Sequence, residues 1–109
     1  MDATPRRVEV YVNQDGKEPF TEWLNGLRDA KDRARIRVRI DRVSLGNLGD
    51  CKSVGNGVRE LRIDFGPGYR VYFAEDGPTI VLLLCGGDKS TQDRHVRTAK
   101  AFWEDYKRR

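Results

Sequence analysis

The chain has 109 residues, which suits one domain of ordinary size and leaves no room for a second core. Its 21 Lys and Arg residues against 17 Asp and Glu residues give a net charge of +4, too balanced for a polybasic tail. Two Trp, four Tyr and four Phe residues argue against disorder, because disordered chains are poor in aromatic residues. We therefore expect a single folded, basic domain over residues 1–109.

Membrane, metal and cofactor classes are disfavoured by the same composition. No apolar run approaches the ~20 residues that span a bilayer, and residues 1–7 lack the apolar stretch of a signal peptide, so we expect a cytoplasmic protein. The two cysteines and one histidine have no paired metal-ligand spacing, so we expect no metal and no cofactor. Cys85 ends the most apolar segment and is expected to be a buried small hydrophobe.

The first half of the chain predicts one strand and two helices. Residues 8–12 alternate apolar and polar side chains like a half-buried strand, and Pro19 can open a helix whose apolar residues recur over 20–27. Residues 27–45 contain no Gly or Pro and carry two conflicting signals, a strand-like alternation over 35–40 and a helical apolar stripe. The length of this run favours a helix, since strands average near 5–6 residues.

The second half predicts a hairpin, a central strand and a last helix. A loop is expected to run from the end of the second helix to Gly57, followed by alternating strands over 61–65 and 69–73. Residues 80–85 are continuously apolar, as in a strand covered on both faces, and Gly86 to Lys89 are expected to break it. Ser90 or Thr91 can then cap a helix.

These elements predict an α+β fold with a small, mainly antiparallel sheet in the order β-α-α-β-β-β-α. Their apolar stripes meet in one predicted core. Its expected members are Trp23, Leu61, Ile63, Phe73, Leu83 and Trp103.

The predicted hairpin groups three polar side chains on the face opposite its apolar residues. Strand alternation places Arg62, Arg70 and Tyr72 together there. Two guanidiniums beside a phenol form an anion-binding surface, since the arginine fork matches phosphate oxygens. The alternative is a solvated face on which the arginines pair with Glu60 or Asp64.

Three further basic features can border this face. Lys89 and free backbone amides lie where a strand end enters a helix, an arrangement that can bind phosphate, and His95 near the start of that helix can act as acid or base. The segment from Arg28 to Arg42 has seven basic and three acidic residues. This row, which includes Arg35, Arg39 and Arg42, is either a solvated face or a contact surface for RNA phosphates or an acidic partner.

Five short segments follow one another in order along nearly the whole chain: residues 20–24 (FTEWL), 46–50 (GNLGD), 57–63 (GVRELRI), 66–73 (GPGYRVYF) and 86–92 (GGDKSTQ). In sequence, order and spacing they resemble the RelE/ParE toxin superfamily, and specifically its HigB-like branch of addiction-module killer proteins. The resemblance implies an antiparallel-dominated sheet with two helices on one face and a C-terminal helix. It also implies a type II toxin, neutralised by a helix-turn-helix antitoxin encoded beside it, that cuts mRNA in the ribosomal A site.

The resemblance also assigns roles to residues at matching positions. Arg70 matches the arginine that contacts the scissile phosphate, Arg62 matches a basic residue of the preceding strand, and Lys89 matches a basic residue after the last strand. His95 falls near a catalytic Tyr or His of the last helix, while Glu60 stands where some members have a lysine. The implied reaction is metal-independent attack of a ribose 2′-OH on the adjacent phosphorus.

Two other functions compete with the nuclease. ParE-type toxins of the same fold poison DNA gyrase and cut no RNA, and the basic helix also suits a non-enzymatic module that binds nucleic acid or protein. The conjunction of Arg62, Arg70, Lys89 and His95 favours the nuclease. Fold alone does not decide between them.

Overall fold

The computed structural model describes residues 5–109. Residues 1–4, part of the opening segment read for a signal peptide, lie outside the described residues. The elements are β1 (Arg7–Val10), α1 (Pro19–Gly26), α2 (Ala30–Ser44), β2 (Cys51–Gly55), β3 (Val58–Ile63), β4 (Tyr69–Asp76), β5 (Ile80–Asp88), a short 3-10 turn (Lys89–Thr91) and α3 (Gln92–Arg108).

One five-stranded sheet organises the domain in the order β1-β5-β4-β3-β2. Strands β2 to β5 pair antiparallel, and β1 pairs parallel to β5. Strand β5 is therefore central and is buried from Val81 through Gly87, as its continuous apolar sequence predicted. The α+β class and the antiparallel-dominated sheet are confirmed.

Residues 30–44 form helix α2, so the helical reading of the ambiguous run is confirmed. Asp29 caps it by accepting a hydrogen bond from the Lys31 amide at 2.8 Å. Ile36 and Val43 bury one side of the helix, while the alternating arginines between them stay outside the core. The tertiary contacts of the apolar stripe outweigh the strand-like alternation.

Two predicted boundaries in the second half are wrong. Residues 51–55, expected in a loop, form edge strand β2, in which Cys51 pairs with Leu61. Because β2 is an edge strand that is partly exposed, it needs no strong alternation of apolar residues, and the sequence pattern therefore did not predict it. Strand β5 also continues through Gly86 and Gly87, which pair with Val71 and Arg70, instead of breaking there.

The sheet separates two apolar clusters rather than enclosing one core. Helices α1 and α2 cover the cluster that contains Leu61, Ile63, Phe73 and Leu83, and α3 covers the other with Trp103. The burial of these five predicted core residues is confirmed. Trp23 is only partly buried, at the margin of the first cluster, because its ring lies over Gly86 near the end of β5.

Across residues 5–109, no helix has both the length and the apolar character that crossing a membrane requires.

Candidate active site

The face of the sheet that carries α3 also carries the polar residues of the hairpin. Arg62 lies opposite Arg70, and Glu60 lies opposite Tyr72, in the antiparallel pairing of β3 with β4. The grouping of Arg62, Arg70 and Tyr72 expected from strand alternation is therefore present. The structure adds Glu60 to the same face.

Glu60 is the centre of this group and is fully buried. Its Oε1 accepts a hydrogen bond from Arg62 Nε at 3.2 Å and lies 3.8 Å from Arg70 Nε. Its Oε2 accepts hydrogen bonds from the Tyr72 hydroxyl at 3.1 Å and from Gln92 Nε2 at 2.7 Å. A buried carboxylate requires such partners, because burying an unpaired charge is costly. We call these five residues the Glu60 cluster.

Arg70 is held in one orientation by the cluster and by the adjacent turn. Its side chain is 12% exposed, and its Nη1 donates to the carbonyls of Gly68 and Tyr69, both at 3.1 Å. Two guanidinium nitrogens of Arg70 make no hydrogen bond within residues 5–109: Nε, which is buried 3.8 Å from Glu60 Oε1, and Nη2. Nη2, which is not fully buried, is the one available to an incoming anion.

Tyr72 does not have the exposure that an RNA contact needs, which corrects the expected role of this residue. Its ring is fully buried, and its hydroxyl donates to Glu60. Burial, and then the negative charge of Glu60, raise the pKa of Tyr72 well above its ordinary value, so the phenol stays protonated. Tyr72 therefore helps to hold the Glu60 carboxylate in place and is not accessible for stacking on a base.

His95 is positioned next to Arg70 by close approach to the sheet. Its ring lies against Gly87, the cross-strand partner of Arg70, and a Cβ on Gly87 would lie 2.6 Å from His95 Nδ1. Nδ1 is 3.0 Å from the carbonyl of Thr91. Because a carbonyl only accepts, Nδ1 carries the proton of that hydrogen bond, and Nε2 remains for other chemistry.

Lys89 joins the same end of the sheet, but the expected phosphate cradle of backbone amides is wrong. The Lys89 amide donates to Gly68, and the amides of Asp88 and Ser90 donate to the side chains of Thr91 and Asp88. Thr91 stands at the N-cap position of α3 as expected, but its side chain makes no cap hydrogen bond to that helix, and the side chain of Asp88 caps the turn before it. The exposed ammonium of Lys89 is what this segment offers to an anion.

The predicted RNA-contact residues Arg35, Arg39 and Arg42 lie on helix α2, which packs on the opposite face of the sheet. The Arg35 guanidinium is 5.0 Å from the centre of the Phe65 ring. Arg39 donates to the Asp50 carbonyl at 3.3 Å, and its guanidinium lies over Gly49. The structure thus brings Arg62, Arg70, Lys89 and His95 to one end of the sheet, and of these four only Arg62 also lies near the α2 arginines.

The sequence pattern did not assign Gln92 to the site, and it offered Glu60 only as an alternative partner of the hairpin arginines, a pairing that is present. Glu60 had one usable signal, its even spacing from Arg62 along β3, which places the two on one face. Gln92 had no comparable signal, because its contact with Glu60 joins residues 32 positions apart. Within residues 5–109, no group of three His, Cys, Asp or Glu side chains is arranged to hold a metal ion.

Comparison with known proteins places the chain in a family. Residues 22–104 match the family described as "Phage derived protein Gp49-like (DUF891)". An "Uncharacterized protein" of Haemophilus influenzae (strain ATCC 51907 / DSM 11121 / KW20 / Rd) is 52% identical over 86 residues, which cover 79% of this chain and 87% of that protein. Since the match takes in both sides of the sheet and the whole Glu60 cluster, the chain belongs to the Gp49-like family of phage-derived proteins.

Proposed function

We propose that this protein is the toxin of a type II toxin–antitoxin module and a ribosome-dependent, metal-independent endoribonuclease that cleaves translated mRNA. The Gp49-like family is one of RelE-like toxins of toxin–antitoxin systems, which supports the first part. The observation that carries the second part is that the His95 ring of α3 packs against Gly87, the residue of β5 that pairs with Arg70 of β4.

The charges at this end of the sheet suit a phosphodiester. Arg62 and Arg70 outnumber the Glu60 carboxylate, which lies fully buried beneath them, and Lys89 adds an exposed ammonium. Glu60 fixes the two guanidiniums without reaching solvent. The outward charge is therefore positive, as a site that binds a phosphoryl group requires.

The proposed reaction uses the chain's own residues. His95 Nε2 takes the proton of the ribose 2′-OH while the 2′-oxygen forms a bond to the adjacent phosphorus. The bond from phosphorus to the 5′-oxygen breaks, and the leaving oxygen takes a proton from solvent. Arg70 Nη2 and Lys89 stabilise the charge on the phosphoryl oxygens. The products are a 2′,3′-cyclic phosphate and a 5′-hydroxyl.

The proposal includes the partners of such a toxin. The substrate is mRNA bound to the ribosome, which supplies the bent geometry that in-line attack needs. A cognate helix-turn-helix antitoxin neutralises the protein in the cytoplasm. Neither a membrane nor a small-molecule cofactor takes part.

Cleavage of mRNA on programmed ribosomes tests the chemistry. Arg70→Ala should lower the cleavage rate at least ~100-fold, the scale for losing one preorganised charge-stabilising group. Because this change also takes a cation from buried Glu60, Arg70→Lys is the second variant, with the positive charge kept and the planar fork lost. Arg37→Ala, an exposed arginine of α2, is the matched control and should cleave at the parental rate.

His95→Gln tests the proposed base. It should lower cleavage by about 10²–10⁴-fold, the range for losing general base catalysis. A folded Arg70→Lys or Arg70→Ala protein that cuts at the parental rate would overturn the proposed site, and a fully active His95→Gln would remove His95 from it.

Pulse labelling of cells that express the chain alone separates the nuclease from a gyrase poison. Methionine incorporation should stop first, and translated mRNAs should shorten while untranslated RNAs stay intact. A collapse of thymidine incorporation during continued protein synthesis would support the gyrase function and refute the nuclease.

A further inference from the structure

A groove of about 590 Å³ runs between helix α2 and the chain that follows strand β3. Ala34, Val38 and Phe65 provide its apolar lining, and Arg35, Arg39 and Arg42 provide basic lining. We call it the α2 groove. It shares one residue, Arg62, with the Glu60 cluster.

The apolar part of the groove is open to solvent. Val38 is 50% exposed, one of three large hydrophobic residues with high exposure within residues 5–109. It lies beside the basic residues on one stripe of α2, because positions 35, 38, 39 and 42 have the i, i+3, i+4, i+7 spacing of a helix face. An exposed apolar side chain inside a charged rim is typical of a protein interaction surface.

The basic lining of the groove is only partly matched by negative charge. Every salt bridge found within residues 5–109 involves arginines or lysines other than Arg35, Arg39 and Arg42. Asp50 and Asp64 also line the groove, so these three arginines face two carboxylates, while Arg62 is already paired with Glu60. The remaining positive charge favours an acidic occupant.

We propose that the α2 groove is the docking surface for an acidic amphipathic helix of the antitoxin, an inference that rests on the proposed function. The helix would place apolar side chains against Val38 and Ala34 and carboxylates against Arg35 and Arg42, as in helix-in-groove recognition. RNA fits less well, because one face of Phe65, the aromatic ring in the groove lining on which a base would stack, is already covered by Arg35.

The position of the groove defines what the partner leaves uncovered. Helix α2 packs on the face of the sheet opposite the one that carries Arg70 and His95. A helix in the α2 groove therefore approaches the Glu60 cluster only at Arg62. Docking and phosphate binding are then separable by substitution.

Fluorescence anisotropy with a designed peptide tests the proposal. The probe is a fluorescein-labelled helix of about 20 residues with Leu on one face and Glu on the other, long enough to be partly helical alone. Its counterpart replaces each Glu with Lys. The acidic probe should bind the parent at least ~10-fold more tightly than the basic one, and its binding should weaken as salt rises from about 0.05 to 0.5 M.

Substitutions on α2 locate the binding. Val38→Asp and Arg42→Glu should each weaken the acidic probe at least ~10-fold, as expected for interface anchors. Arg37→Glu reverses an exposed charge on the same helix outside the groove lining and should change affinity less than about 2-fold, like a rim charge. Thermal melts check that all three variants fold, as their exposed positions predict.

Equal binding of both peptides, or equal loss in Arg37→Glu and Arg42→Glu, would overturn the proposal. A labelled single-stranded RNA of 12 nucleotides tests the competing occupant. If the parent binds this RNA and Val38→Asp does not, the groove is an RNA site and the proposal is wrong. The cleavage assay is independent of this one. A chain that cuts no mRNA and still binds the acidic peptide in the groove would refute the nuclease and retain the surface.

Discussion

Glu60→Gln is the substitution that examines most directly how the candidate site is built. The amide has the shape of the carboxylate but no charge, so it leaves Arg62 and Arg70 without their shared counter-ion. When the new NH2 group takes the place of Oε2, it presents a donor to the Tyr72 hydroxyl and the Gln92 amide, which both donate to the carboxylate oxygen of Glu60 in the parent. We expect a folded but less stable protein.

The magnitude follows from how deeply each partner is buried. Removing one member of a buried ion pair costs about 3–5 kcal/mol. Arg62 is 35% exposed, so water replaces part of its interaction, and Arg70 Nε is 3.8 Å from the carboxylate, longer than a hydrogen bond. We therefore expect a loss of about 2–4 kcal/mol from a total free energy of unfolding of ~5–15 kcal/mol.

Urea unfolding followed by tryptophan fluorescence measures this loss. Asp64→Asn is the matched control, because Asp64 is an exposed carboxylate just beyond the same strand, and it should stay within about 0.5 kcal/mol of the parent. A Glu60→Gln protein as stable as this control would show that the arginines do not depend on the Glu60 charge. The account of the Glu60 cluster as a fixed, charge-paired support would then be wrong.

Three further predictions concern packing and titration. Gly86→Ala should lower the free energy of unfolding by about 1–3 kcal/mol, because the added Cβ would collide with the Trp23 ring. Gly26→Ala is the control, since Gly26 has open space around it and the substitution should not lower stability. Equal thermal melts of the two variants would refute the contact between Gly86 and Trp23. Trp103→Ala should lower the free energy of unfolding by about 3–5 kcal/mol, measured in a thermal or urea melt. An unfolding curve that overlays that of the parent would show that Trp103 is not part of the apolar cluster under α3. Burial, with the hydrogen bond to Asp32, raises the pKa of Tyr69 to about 12, above the value of about 10 for a tyrosine in an unfolded chain. The protonated Tyr69 hydroxyl therefore stabilises the fold fully below about pH 10, and this stabilisation is lost as the pH rises toward 12. Tyr69→Phe should reduce the loss of stability at alkaline pH by the share that belongs to Tyr69, and a pH profile identical to that of the parent would contradict the assignment.

Local sequence pattern determined most of the elements and one part of the site. The alternation of β3 and β4 was enough to put Arg62, Arg70 and Tyr72 on one face, since side chains two positions apart point the same way. The length of residues 30–44 was enough for a helix, and the continuous apolar run of β5 was enough for a central strand. These features depend on neighbours in the chain, so the sequence carries them directly.

Other features needed the tertiary structure because they depend on what covers each face. Strand β2 exists through pairing with β3, and β5 continues through Gly86 and Gly87 because these glycines admit the rings of Trp23 and His95. In the sequence the Gly86-Gly87 pair predicts the end of the strand, but in the fold it is a site of close packing within β5.

The chemistry of the site shows the same division. A pattern of polar residues could not tell that Tyr72 and Glu60 lie beneath helix α3 while Nη2 of Arg70 stays accessible and makes no hydrogen bond within residues 5–109. Nor could it tell that the arginines of α2 and Arg70 belong to opposite faces of the sheet. Periodicity defines the faces of each element separately, and the packing of distant elements decides which of those faces are buried and which meet to form a site.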